Sequence, residues 1–212
     1  MKCPHCTIAF YDNWVVGAMN RGAVRLGWVY RSALCPECTD LVIEVSPSAK
    51  DAPWQMLYPA GANRGPVPSQ VPANIVGDYV ETCNVLPVSA KASAALSRRC
   101  LQAMLRAHGY RGRDLAAEIQ LLLDESDPAK AIPSTLRMTI DGIRNFGNFS
   151  AHPITDVTTL QIIDVEDHEA EWCLEILEEM FQHFYVRPAE AAARKLALDA
   201  KLAAAGKPPS KG

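Results

Sequence analysis

The sequence predicts a mostly α-helical protein, an antiparallel bundle of about five helices preceded by a small metal-binding β ribbon. Three observations predict it. Apolar residues recur at helical spacing from residue 74 onward. Two Cys-Pro-x-Cys pairs stand near the N-terminus, and a proline-rich stretch separates them from the periodic region. Apolar content of 49% against 21% charged is that of a folding chain. A length of 212 residues allows one good core and a small accessory module.

The cysteines come first. Cys3-Pro4-His5-Cys6 and Cys35-Pro36-Glu37-Cys38 each let one turn present two sulfurs to a metal. An odd total of seven cysteines and two-residue spacings do not fit a disulfide framework. A redox pair would expect a βαβ setting that is absent. Four thiolates close a tetrahedral shell with Zn–S of ~2.3 Å, so the expected cofactor is one structural Zn2+. Residues 23–30 and 40–45 read as strands, the interval between the knuckles suits a β-hairpin, and residues 1–46 are expected to need the metal to fold. His5 reads as an exposed knuckle residue. Trp14 and Trp28 are either a small core or part of a contact surface. Cys83, Cys100 and Cys173 stand singly in helical patterns and read as packed hydrophobes.

Residues 47–71 carry Pro47, Pro53, Pro59, Pro66, Pro68, Gly61 and Gly65, and are expected to be linker or surface wrap. Trp54, Met56, Leu57 and Tyr58 suggest that this wrap lies against the helices. The bundle follows at 72–188. Ile75, Tyr79, Cys83 and Leu86 mark a first helix that stops at Pro87. Ser89 caps a second that runs to Gly109 and buries Ala94, Ser97, Leu101, Met104 and Leu105, with Arg99 and Arg106 opposite and Arg98 at the margin. Leu115, Ile119, Leu122 and Leu123 give a third, ending near Pro128. The fourth begins near Pro133, buries Leu136, Ile140 and Ile143, and carries Arg144 on its last turn before a stop at Gly147-Asn148. A loop or short extended piece leads to the fifth, over 167–186, capped by Asp164 or Asp167 and ended by Arg187-Pro188. Residues 189–212 read as an Ala-rich extension with a frayed tail.

A net charge of −3 means that any nucleic-acid contact must come from a local patch. No segment approaches the ~20 apolar residues of a membrane span, and the N-terminus lacks a signal-peptide core, so a cytoplasmic protein with no membrane partner is expected. Arg98, Arg99, Arg106, Arg111 and Arg113 form the one candidate nucleic-acid stripe, led by Arg98, Arg99 and Arg106, and its bland reading is a solvated face answering the acidic fifth helix. For chemistry, Arg144 and His152 lead. A guanidinium forks onto two phosphate oxygens, and an imidazole with pKa near ~6.5 takes or gives a proton at neutral pH. Attack of a ribose 2′-OH on the adjoining phosphorus needs that pair and no metal. The alternative is polar stitching of a helix junction, in which Asn145 and Asn148 are cap and turn formers.

The string Ile143-Arg144-Asn145-Phe146-Gly147-Asn148 with Ala151-His152-Pro153, the helix around Ala94-Ala95-Leu96-Ser97-Arg98-Arg99-Cys100, and Asp78-Tyr79 after Val71-Pro72 together resemble the prokaryotic domain-of-unknown-function family 4145, usually placed in the HEPN superfamily of helical bundles. The resemblance covers about residues 71–188. It implies a HEPN-like homodimer whose paired motifs meet across the interface. In active members these motifs form a metal-independent endoribonuclease site, with Arg144 on the phosphate, His152 on the proton, and Asn145, Gly147 and Asn148 supporting the motif. Here the Arg144-to-His152 interval is longer than usual, and Gln102 stands where Glu is usual. Two readings follow: a ribonuclease of a defence or toxin system acting on RNA, or a non-catalytic adaptor whose ribbon and bundle bind a partner protein or nucleic acid.

Overall fold

A computed structural model describes the chain except residues 2, 7, 12, 60–63, 65, 152–153, 156–161 and 211–212; at 149–151, 154–155 and 162–163 it describes backbone only. The described residues are mostly helical, with a small antiparallel sheet at the N-terminal end. They divide into two compact units, Met1–Val67 with Cys83–Val88, and Pro68–Thr82 with Ser89–Gly212.

In the first unit, β1 (Val15–Arg21), β2 (Val24–Leu34), β3 (Leu41–Pro47) and β4 (Gln55–Tyr58) form one sheet in sequential antiparallel order. β2 carries the register, pairing Ala33 with Val42 and Arg31 with Glu44. Ala33, Val42 and Ser46 are buried along one face. β4 refines the expectation for residues 47–71: Gln55–Tyr58 of the proline-rich stretch is strand and pairs with β3. The reason is a distant contact. The Arg31 guanidinium lies 4.3 Å from the ring centroids of both Trp14 and Trp54, and its Nε donates to Glu44 Oε2 at 2.6 Å. A cation between two aromatic faces is stabilising, more so as it is shielded from water, and it fastens the chain just before β4. Trp28, 41% exposed, is not a core residue.

The second unit holds α1 (Ala73–Val85) up to Thr82 and α2 (Ala90–Ala107), whose Ser89 cap accepts from the Ala92 amide at 3.2 Å. Asp114 caps α3 (Leu115–Leu123) by accepting from the Ala117 amide at 2.9 Å. α2 is central, packing against α3, α5 and α6. It buries Ala94, Ser97, Cys100, Leu101, Met104 and Leu105, the face its periodicity predicts. The three single cysteines are all buried.

The expected fourth helix is two pieces, α4 (Ser134–Thr139) and α5 (Asp141–Ala151), and Leu136, Ile140 and Ile143 are buried as expected. Gly147-Asn148 does not stop the helix. A Cβ at Gly147 would stand 2.8 Å from Arg98 Cβ, so the glycine is a point of close approach between α2 and α5. Packing outranks the local stop signal there. Backbone strands β5 (Ile154–Thr155) and β6 (Ile162–Ile163) pair beyond it.

α6 (Asp167–Phe181) is capped at Glu166, not at Asp164 or Asp167. Pro188 does not end the helical path. A π-helical turn (Gln182–Val186) intervenes, in which the Arg187 amide reaches the Gln182 carbonyl five residues back. The path continues as α7 (Arg187–Ala204) with Pro188 in its first turn, directly after the wide turn, where the regular ladder that a missing N–H and a pyrrolidine ring would break is already interrupted. The tail to residue 210 is tethered, because the Ser210 amide and hydroxyl both donate to Asp199 Oδ1, at 2.7 and 2.6 Å.

Candidate functional site

The four N-terminal cysteines converge. Their sulfurs all lie within 4.8 Å of one another, with Cys3 and Cys38 at 3.6 Å and Cys6 and Cys35 at 3.7 Å. Ligands ~2.3 Å from a tetrahedral centre stand roughly 3.8 Å apart, so these residues fit one metal ion. The His5 amide points at Cys3 Sγ (3.4 Å), the geometry that stabilises a thiolate. Hydrogen bonds from the Cys38 amide and then the Glu37 amide lower Cys35 to about 7. The Asp40 amide pulls Cys38 the same way, but burial and the neighbouring thiols prevail and push it up to about 12. His5 does not compete for the metal; its Nε2 lies 2.9 Å from the Leu41 carbonyl oxygen.

The second constellation is built on α5. Arg144 sits one turn after Asp141, and its guanidinium donates Nε to Asp141 Oδ1 at 2.6 Å and Nη2 to Oδ2 at 2.8 Å. Asn145 Nδ2 donates to the same carboxylate at 3.0 Å and to the Asp141 carbonyl at 3.1 Å. The Arg144 hydrogen bond, opposed by partial burial, holds the Asp141 carboxyl below the usual range and raises Arg144 in return. The Arg144 side chain keeps 27% of its surface exposed. Arg98 reaches across from α2, donating to the Arg144 carbonyl at 3.3 Å and to Asn148 Oδ1. Structure thus joins Arg98, Arg144, Asn145, Gly147 and Asn148 along one helix seam. His152 lies outside the described residues, one position beyond α5.

Arg99 and Arg106 do not join that seam. Arg99 pairs with Asp78 and lies 3.6 Å from Glu81, and Arg106 donates to the fully buried Glu118 at 2.7 Å. Arg99 and Arg106 therefore answer carboxylates of α1 and α3, not the acidic face of α6. Sequence reasoning missed Asp141, although a carboxylate three residues before an arginine on a helix is a readable pairing signal. It also missed a cavity of about 160 Å3 lined by His108, Tyr110, Lys130, His183, Phe184 and neighbours. There the His108 ring stacks on Phe184 at 4.1 Å, and burial, followed by the charge of His183, lowers its pKa.

Residues 80–201 match the family model described as Domain of unknown function (DUF4145), more than half of the chain. The chain belongs to that family. Its DUF4145 segment contains Arg98, Asp141, Arg144 and the cavity, and the four cysteines precede it. No curated protein and no solved structure matches the chain. Among the described residues no helix is long and apolar enough to cross a membrane.

Proposed function

We propose that this DUF4145 chain is a HEPN-like, RNA-directed module with a zinc-ribbon head, and that as a homodimer it cleaves RNA without a catalytic metal. The observation that carries the reading is the guanidinium of Arg144, fixed by Asp141 yet still reachable from solvent. Arg144 grips a phosphodiester and offsets the charge that builds on the five-coordinate phosphorus. His152, eight residues further along the chain, takes the proton of the ribose 2′-OH or gives one to the departing 5′-oxygen. The O2′–P bond forms as the P–O5′ bond breaks, leaving a 2′,3′-cyclic phosphate and a 5′-hydroxyl. The four cysteines hold one structural Zn2+, which stiffens the ribbon and takes no part in the chemistry.

The test is incubation of full-length protein with single-stranded and hairpin RNAs in the presence of chelator, alongside Arg144→Ala and His152→Ala. Cleavage to cyclic-phosphate ends, abolished by both substitutions, is expected. Intact RNA across that panel, or cleavage that survives either substitution, overturns the reading. A second reading, a non-catalytic adaptor, is favoured by one specific feature. Arg99 and Arg106 are engaged by internal carboxylates, while the sheet exposes Val24, Leu26, Trp28 and Tyr30. Intact RNA together with a partner protein bound through those sheet residues selects it.

A further inference from the structure

Asp141, Arg144, Asn145 and Asn148 of α5 recur at the spacing of one helix stripe. Within that stripe Asp141 accepts three side-chain hydrogen bonds, two from Arg144 and one from Asn145. A guanidinium presents two forked edges, one formed by Nε and Nη2 and the other by Nη1 and Nη2. Asp141 occupies the first. The second edge is the end of the side chain, and its two N–H directions match two oxygens of a phosphate. The far end of the stripe is held independently, because Arg98 grips Asn148 and the Arg144 carbonyl where Gly147 lets α2 approach.

Charge adds a second argument. The Asp141–Arg144 pair sums to zero, so Arg144 in this setting directs a phosphate more than it attracts one. An arginine meant only to gather polyanions would lose by having a carboxylate against it.

We propose that Asp141 is a positioning residue for Arg144: it fixes the guanidinium side-on so that the Nη1/Nη2 edge receives one phosphate group, end-on, at the cost of general affinity for nucleic acid. The proposal rests on the reading of Arg144 as the group that grips an RNA phosphodiester. It makes a paired forecast that a purely structural ion pair does not. Asp141→Asn frees the arginine and adds one positive charge, so RNA binding tightens while turnover drops. In fluorescence anisotropy with a single-stranded RNA, the salt dependence steepens by about 0.7 in log–log slope, the increment for one more phosphate neutralised. In the cleavage assay kcat falls at least ~10-fold while KM falls or holds, so the loss lies in the chemical step and not in ground-state binding. Asp141→Glu restores part of kcat and returns the salt slope to that of the unsubstituted protein. Unchanged kcat and slope in Asp141→Asn overturn the proposal, as does a fall in kcat accompanied by weaker binding.

One arm needs no RNA activity and so separates this inference from the cleavage reading. The Nε–H resonance of Arg144, assigned by its loss in Arg144→Lys, is expected to exchange slowly with solvent, to shift on titration with inorganic phosphate, and to exchange fast in Asp141→Asn. If the protein leaves RNA intact but shows this behaviour, the cleavage reading fails and the positioning role stands. An Nε–H that exchanges equally fast with and without Asp141, or that phosphate leaves unmoved, overturns the role itself.

Discussion

Two glycines on helices of the same unit should respond to the same substitution with opposite sign. At Gly147 in α5, an added Cβ would stand 2.8 Å from Arg98 Cβ and 2.9 Å from its Cδ. Ordinary carbon–carbon contact is ~3.8 Å, so α2 and α5 must part by about 1 Å or Arg98 must leave its partners. Overpacking of this kind costs about 1–3 kcal/mol. Alanine's helix preference over glycine returns about 1 kcal/mol of it. Gly147→Ala is therefore expected to destabilise by roughly 1 kcal/mol, a fall in Tm of about 2–4 °C for a chain of this size. Gly77 lies within α1 with nothing within 4 Å of its would-be Cβ. Gly77→Ala should gain the helix-preference term alone, about 0.5–1 kcal/mol. The assay is urea unfolding followed by far-ultraviolet circular dichroism, with both variants read against the unsubstituted protein. If Gly147→Ala is stabilised as much as Gly77→Ala, α2 does not approach α5 through that glycine, and the seam carrying Arg98 and Arg144 is wrongly drawn.

The cysteine cluster should hold one zinc per chain after gel filtration, lose it to chelator or in Cys38→Ser, and bind it more weakly as pH falls, because thiolates must shed protons to ligate; metal analysis from pH 5 to 8 reads this, and four freely titratable thiols in the purified protein would falsify the site. For His108, burial first and His183 second depress the folded pKa below the ~6.5 of the unfolded chain. The unfolded state then binds more protons in that window, so the stability His108 contributes is full above ~6.5 and is lost as pH falls through the folded value. Thermal midpoints from pH 8 to 5 should decline more steeply for the unsubstituted protein than for His108→Gln; parallel curves would remove His108 as the cause.

What was legible in the sequence was what is decided within a few residues. Cysteine spacing found the four sulfurs because a two-residue turn by itself brings two ligands together. The period of α2 identified its buried face, and Ser89 gave its start. Contacts between distant segments decided the rest. β4 escaped notice because Pro53 and Pro59 on either side of it argue against a strand, and Arg31, some twenty residues earlier, packs on Trp54 just before it. Gly147-Asn148 reads locally as a stop and becomes a packing point only once Arg98 lies against it. In the candidate site, Arg144, Asn145 and Asn148 were found as a string. Asp141 and Arg98, which give that string its geometry, were respectively unnoticed and assigned to a different stripe.

The wide turn at 182–186 works as a phase shifter. A regular helix advances about 100° per residue, and a turn closed by a five-residue instead of a four-residue bond slips the ladder by one position. Side chains of α7 are thereby rotated against the seam that α6 buries with Cys173, Leu177 and Met180, and α7 carries on as a rod whose Leu196 and Leu198 stay exposed. One extra amino acid in that turn thus decides where the apolar stripe of a nearly forty-residue helical path comes to an end.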